Sequence, residues 1–407
     1  MARVLLIGAT GQLGGAERSL VEMAEAINPG TFQLFAAVGG EGPLQGALED
    51  AGVRTEIIPM KRLRRTVNPL RLAEYVTSVS RGSRAIVELA KSTGADLIHA
   101  NNDIAQVYAG EAAARAELPC VWHSRDLLKL GPIGERMAKQ ASVVVAISRA
   151  VMDHHERAGV DPDRLRLVRN GVALGKFPEC TGDRRNRARL EARKELGLHP
   201  DAFVVGAAGV FVPWKRHEDF IRAFCGLCER EIAGMAAGSD VAGGGVIQLK
   251  GLVPARAVLF GDDLMGDNGR YVYDLKKLAD ELVGERVVFA GWREDLPRML
   301  PALDAMVSAS DREPFGRVLV EAMACGLPVI ATDSGGKAEI VEADKTGIVV
   351  PQGDIGALAE AMDSLSRDPA LRTRLGAAGR ERAFEVFSVE RTAREVEAVY
   401  REVLEGR

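Results

Sequence analysis

The segment DREPFGRVLVEAMACGLPVIATDSGG, residues 311–336, carries two glutamates, Glu313 and Glu321, eight positions apart. Pro314 suits an early helical position, GRVLVEAMAC is helix-competent, Gly326 is placed to end the helix, and PVIAT restarts as a strand. Glu313 then lies in the loop at the helix entrance and Glu321 inside the helix. Eight residues of helix separate two carboxylates by about 12 Å, too far to share one reacting atom but suited to gripping two ends of an extended ligand. Between them, next to Phe315, the open N–H groups of the helix start at Gly316, Arg317, Val318 and Leu319 face the place where an anion would dock. A carboxylate, an anion site and a second carboxylate match a ligand that presents sugar hydroxyls, a diphosphate and ribose hydroxyls in line.

Such groups need a frame, and the rest of the chain reads as one. Short apolar, β-rich runs alternate with stretches of helical length, the pattern of parallel sheets covered by helices on both faces. In the first half, strands are expected at RVLLIGA, QLFAAVGG, TEIIPM, DLIHANN, CVWHSR, SVVVAIS and LRLVRNG. In the second half they recur at FVVGAAG, AVLFGD, RVVFAGW, AMVSAS, PVIATD and GIVV. This gives an α/β fold of two doubly wound, Rossmann-like domains facing each other across a cleft. The polar stretch ECTGDRRNRARLEARKELGLHPD is the expected connection, so the domains run over 1–178 and 179–380. Residues 381–407, with apolar positions at helical spacing, form a helix packing back towards the first domain. The Gly- and Ala-rich EIAGMAAGSDVAGGGVIQLKG reads as a surface insertion.

In open α/β sheets ligands bind beyond the carboxyl ends of the strands. The residues there include Gly14, Gly15, Asn101, Asn102, His123, Arg125, Asp126, Ser148 and Asn170 in the first half, and Lys215, Trp292 and Glu313 in the second. The opening GATGQLGGAERSL also resembles a nicotinamide-binding loop. That rival, a short-chain dehydrogenase or epimerase, needs a Tyr-x-x-x-Lys in the same domain. The pair with that spacing, Tyr273 and Lys277, lies far downstream in an expected surface helix.

Composition narrows the class. Hydrophobic residues are 47% and charged residues 27% of 407, ordinary for a soluble enzyme of two or three domains. No apolar run reaches about 18 residues, and Met1-Ala2-Arg3 leads straight into a strand, so the cytoplasm is expected. A net charge of −4 gives no global attraction for nucleic acid. Five scattered cysteines are not a disulfide framework, and Cys225 and Cys228 read as helix packing. Asp262-Asp263 reads as a solvated turn rather than metal ligands, and His154 and His155 as surface residues. For the basic run KRLRR, residues 61–65, solvated charge is the plain account. The inner face of the membrane, docked peripherally, or a charged acceptor is the sharper alternative.

The E-x7-E pair, set in EPFG and EAMACGLPVIAT, resembles the signature of retaining glycosyltransferases of the family 4 type, which have the GT-B architecture. The likeness extends through GGAE, DLIHANN, AISRAV, VRNGV, PWK, LFGDD and VFAGWRED in the family's order. It implies that Glu313 holds hydroxyls of a nucleotide-sugar donor, Glu321 the ribose and Lys215 the diphosphate, with His123 beside the donor sugar. Glu313, His123 and Lys215 are then the catalytic set, and the base is held around Gly291, Trp292 and Arg293. Asn101, Asn102, Arg125 and Asn170 line the acceptor side of the cleft, for a glycan, lipid-linked or small-molecule acceptor, and the Gly14-Gly15 loop approaches the acceptor or the diphosphate. Transfer with retention, no cofactor and no essential metal are implied. One position departs from the pattern: the family's arginine after the glycine is Val210, in GVFVPWKR. Arg216 and Arg293 are the candidates to replace its charge, and a catalytically silent relative is the reading its loss would favour.

Overall fold

The computed structural model describes residues 1–61, 68–128, 131–177, 182–238, 253–264, 266 and 268–406. The chain forms two compact units, one of Met1–Ala173 with Phe387–Arg407, the other of Leu174–Val386. These limits differ from 178 and 380. The short turn Leu174–Lys176 groups with the second unit, and the helix Pro369–Val386 stays with it to its end because it packs on the helix Arg317–Ala324.

The first unit is a seven-stranded parallel sheet of β1 (Ala2–Gly8), β2 (Phe32–Val38), β3 (Arg54–Ile57), β4 (Leu97–Ala100), β5 (Cys120–Ser124), β6 (Val143–Ala146) and β7 (Leu165–Leu167). Its order is β3-β2-β1-β4-β5-β6-β7, so the winding reverses between β1 and β4, where Val4 pairs with Leu97. The run Val4-Leu5-Leu6-Ile7 has no polar face because both faces are covered. Val4 and Leu6 pack with Leu20 and Met23 of the helix Gly15–Ala26, while Leu5 and Ile7 pack on the other face with Ile86, Tyr108 and Ala109.

The last helix, Val389–Glu405, completes the first unit. Ala393, Val396, Val399, Tyr400 and Val403 join the core that holds Val4 and Leu6. The Tyr400 hydroxyl and His99 Nδ1 share a hydrogen bond at 2.6 Å, and Glu397 accepts from the Asn28 amide at 2.8 Å.

The second unit is a six-stranded sheet of β8 (Val204–Ala208), β9 (Arg256–Phe260), β10 (Val287–Gly291), β11 (Ala305–Ser308), β12 (Val329–Thr332) and β13 (Gly347–Val350). Its order, β10-β9-β8-β11-β12-β13, reverses between β8 and β11. All thirteen expected strands are present, and both sheets are parallel. Of the expected insertion, residues 239–251 lie outside the described residues.

Candidate functional site

In the second unit the loops after β8 and β11 meet at the reversal point. The Asp311 amide donates to the Trp214 carbonyl at 2.7 Å, and Lys215 Nζ donates to Glu313 Oε2 at 2.7 Å. Lys215 comes from the single turn Pro213–Lys215, and its stem lies along Gly209, where an added Cβ would stand 3.3 Å from Cε. The two side chains keep only 15% and 10% of their exposure, so this pair is partly shielded from water. Lys215 Nζ also lies 4.5 Å from the centre of the Trp214 ring.

The helix begins at Arg317, later than Pro314 suggests, because Gly316 takes φ 109 and breaks the helical path. The Leu319 amide is not open: it donates to the Gly316 carbonyl at 2.9 Å. Among the described residues no acceptor within the chain is found for the Val318 amide, which remains at the helix start beside buried Phe315. Glu321, one turn on, accepts from Arg317 Nε at 2.7 Å. Gly326, at φ 71, follows the last turn.

A second loop holds Glu313 in place. Gly335 has φ 70, and a Cβ there would lie 2.1 Å from the Glu313 carbonyl oxygen. The Gly336 amide donates to that same carbonyl at 2.7 Å, and Ser334 Oγ accepts from the Arg312 amide at 2.7 Å. The next residue, Lys337, is fully buried and donates to the Ser310 carbonyl and the Thr332 hydroxyl. Burial pulls its pKa down to about 8. Nothing in the sequence reading had singled out Lys337. The doubled glycine directly after the strand PVIATD was the available signal of a close backbone approach.

Both candidates for the missing cation are paired with carboxylates. Arg216 forks onto Asp219 at 2.8 and 3.1 Å and lies 3.6 Å from Glu218. Arg293 pairs with Asp295 at 2.7 Å and with Glu195. Gly291 ends the outermost strand, β10, with Trp292 directly after it, and the Gly291 carbonyl accepts from the Gly261 amide at 2.8 Å.

The first unit gathers its own cluster at the β1/β4 reversal. Buried Arg125 donates through Nε to the Asn101 carbonyl and side chain at 2.9 and 3.0 Å, and through Nη1 to Asn170 Oδ1 at 2.9 Å. Asn170 reaches Ser19 Oγ at 3.1 Å, and Asn101 reaches the Ala16 carbonyl at 3.1 Å, tying both to the helix that starts after Gly14. Asn102 Oδ1 caps the helix Asp103–Ala116 by accepting from the Ala105 amide at 2.9 Å. Ser148 caps the helix Arg149–Arg157 in the same way.

His123 is fully buried, and burial together with nearby Arg125 holds its pKa well below the usual histidine range. Arg125 Nη2 approaches Nδ1 at 3.5 Å, which leaves the proton of the neutral ring on Nε2. Among the described residues that atom finds no partner. Burial also pushes up two carboxyls missing from the sequence reading. Glu17 of GGAE is one; the other is Asp103, raised to about 8 with Asp126 adding to the effect.

Other expectations fare unevenly. Cys228 is buried in the second core and Cys225 is half-buried, both as free thiols. Tyr273 and Lys277 are exposed on the helix Gly269–Leu282. Asp262 and Asp263 cap their own turn, accepting from the amides of Asp263 and Asn268. His155 is not a surface residue: it is buried edge-on against Trp122, with ring centres 4.8 Å apart. Of KRLRR, residues 62–65 lie outside the described residues.

Two doubly wound parallel sheets, each with polar groups at its own reversal point and one with a lysine–glutamate pair beside a helix start, define a GT-B type of protein. The comparisons agree. Residues 188–382 match the family described as glycosyl transferases group 1, and residues 13–176 match Glycosyltransferase Family 4. The chain is 27% identical over 418 residues to the D-inositol 3-phosphate glycosyltransferase of Salinispora arenicola, over 97% of this chain and 88% of the relative. It is 25% identical over 351 residues to the N-acetyl-alpha-D-glucosaminyl L-malate synthase of Bacillus anthracis, over 83% of each. Its fold is similar to that of Anabaena Alr3699/HepE in complex with UDP and glucose, with TM-score 0.79 and 24% identity over 98% of this chain and 99% of that one. The chain belongs to the GT-B glycosyltransferases of the family 4 type, enzymes that transfer sugars.

Proposed function

We propose that the protein moves a hexose from a nucleotide-sugar to a glycan, lipid-linked or small-molecule acceptor with retention at the anomeric carbon. The observation that carries this reading is the shielded Lys215–Glu313 pair next to the start of the Arg317–Ala324 helix. Lys215 is a compact charge for diphosphate oxygens, and Glu313 accepts from donor-sugar hydroxyls. Glu321 takes the ribose. The bond from the anomeric carbon to the phosphate oxygen breaks, with its electron pair leaving on the nucleoside diphosphate. The acceptor oxygen bonds to the same face of that carbon, and its proton passes to the departing phosphate oxygen. His123, neutral and with its Nε2 proton unused among the described residues, serves as a donor to the sugar.

Neither a cofactor nor an essential metal belongs to this proposal, so a chelator is expected to leave the rate unchanged. A silent GT-B relative is the second reading, favoured by Val210 and by the engagement of Arg216 and Arg293 with carboxylates. A thermal-shift panel of UDP-, GDP- and ADP-sugars, followed by hydrolysis of whichever donors bind, separates the two. A donor at about 100 times its Kd stabilises by roughly 2.7 kcal/mol, a measurable rise in Tm. Binding with slow hydrolysis supports transfer, binding without any turnover supports the silent relative, and a flat panel removes both.

A further inference from the structure

Lys337 is a cation where an aliphatic side chain would pack at lower cost. It is fully buried, and it opens the short helix Lys337–Ile340 immediately after the Gly335-Gly336 turn that grips Glu313. Its Nζ bridges two neighbouring strand ends, donating to the Ser310 carbonyl beyond β11 and to the Thr332 hydroxyl that closes β12. Three N–H bonds meet only these two acceptors among the described residues. The stem runs beneath the helix start, since a Cβ on Gly316 would stand 3.3 Å from Lys337 Cγ. The charged groups that act on its ammonium are Glu313, Asp311 and Asp333, with Lys215 opposing them. The other candidates for positive charge, Arg216 and Arg293, are engaged with Asp219 and with Asp295 and Glu195.

We infer that Lys337 is a positioning residue of the donor site: its buried ammonium pins the loop 310–316, orients the Glu313 carboxylate, and supplies positive potential to the departing diphosphate. This rests on the donor-site reading given above. A lysine used in this way stays charged only while pH is below its lowered pKa of about 8. Loss of the proton takes away both the field and one donor to the strand ends.

The test uses the full chain as wild type, Lys337→Met and Lys337→Arg, with UDP-glucose, GDP-glucose and ADP-glucose as probes. Donor turnover is followed between pH 6.5 and 9.5 beside Tm and circular dichroism. For wild type, kcat is expected to fall above about pH 8, by about tenfold for each further unit. Lys337→Met is expected to lower kcat at pH 7 by at least about tenfold, to change the donor KM by less than about threefold, and to lack the alkaline fall. Lys337→Arg, which stays charged, is expected to recover part of kcat and hold it above pH 9. A folded Lys337→Met with wild-type kcat and an unchanged alkaline fall overturns the inference, as does a wild type whose kcat is flat to pH 9.5. Wild type inert towards every probe overturns the donor-site reading and this inference with it; an active wild type confines any failure to Lys337.

Discussion

At the scale of single residues, the site rests on ion pairs held out of water. Removing one member of the Lys215–Glu313 pair leaves the other partly buried without its counter-charge, which costs more than the pair itself is worth. Lys215→Met is therefore expected to lose roughly 1–3 kcal/mol of stability, seen as a lower urea midpoint, and donor turnover by about two orders of magnitude. Glu313→Gln keeps the shape and a hydrogen-bond acceptor but removes the counter-charge of Lys215, so a drop in Tm smaller than that of Lys215→Met is expected beside the loss of kcat/KM. Glu313 and Lys215 can be placed from the sequence because each follows a strand of a parallel sheet, and Glu321 because it falls one turn into the next helix. Lys337 and His155 cannot be, since a lysine in SGGKAE and a histidine in DHHERA both look solvated until tertiary neighbours cover them. Asn102 and Leu319 each commit a hydrogen bond to the nearest turn of their own helix, which the sequence pattern did not show.

At the scale of elements, the strands were read in full because parallel strands buried on both faces leave unbroken apolar runs such as VLLI and VVVA. The loops were harder, for their conformation depends on backbone contacts with other loops. Gly335 shows the consequence. A side chain there meets the Glu313 backbone and strains a left-handed φ, so Gly335→Ala is expected to lower Tm and to abolish donor-dependent thermal shift together. The helix Pro69–Thr93 raises a different question, since Leu70, Leu72 and Val76 are 79%, 51% and 59% exposed near Arg71. Apolar side chains mixed with positive charge suit the interface of an anionic bilayer. If peripheral docking is part of the function, vesicles containing phosphatidylglycerol should co-sediment the protein, and Leu70→Asp with Val76→Asp should release it. Equal recovery of both proteins in the supernatant would remove the membrane from the proposal.

At the scale of the whole molecule, both sheets reverse their winding at the positions where functional groups gather, which ties fold to site more closely than any single motif does. The same burial that shapes the sites sets the response to acid. His99 titrates at about 3, His155 and His217 at about 4, and His123 well below the usual range, all through burial. In the unfolded chain each titrates near 6.5, so between that value and the folded one the unfolded state binds more protons, and stability falls as pH falls. Each group contributes about 1.4 kcal/mol per pH unit in that window. Asp103, raised to about 8, acts in the opposite sense, as do Glu17 and Glu231, but the four histidines outnumber these three. Urea midpoints are expected to drop between pH 7 and pH 5; constant midpoints would mean that the imidazoles are hydrated rather than enclosed.

The helix Val389–Glu405 lies in the first unit, although the whole second unit precedes it in the chain. On a ribosome, the second unit therefore emerges and can close before the first has received its final segment. Until then Val4 and Leu6 lack the cover of Val396 and Tyr400, and His99 lacks its hydroxyl partner. A chain cut anywhere before residue 389 is expected to leave this apolar seam open.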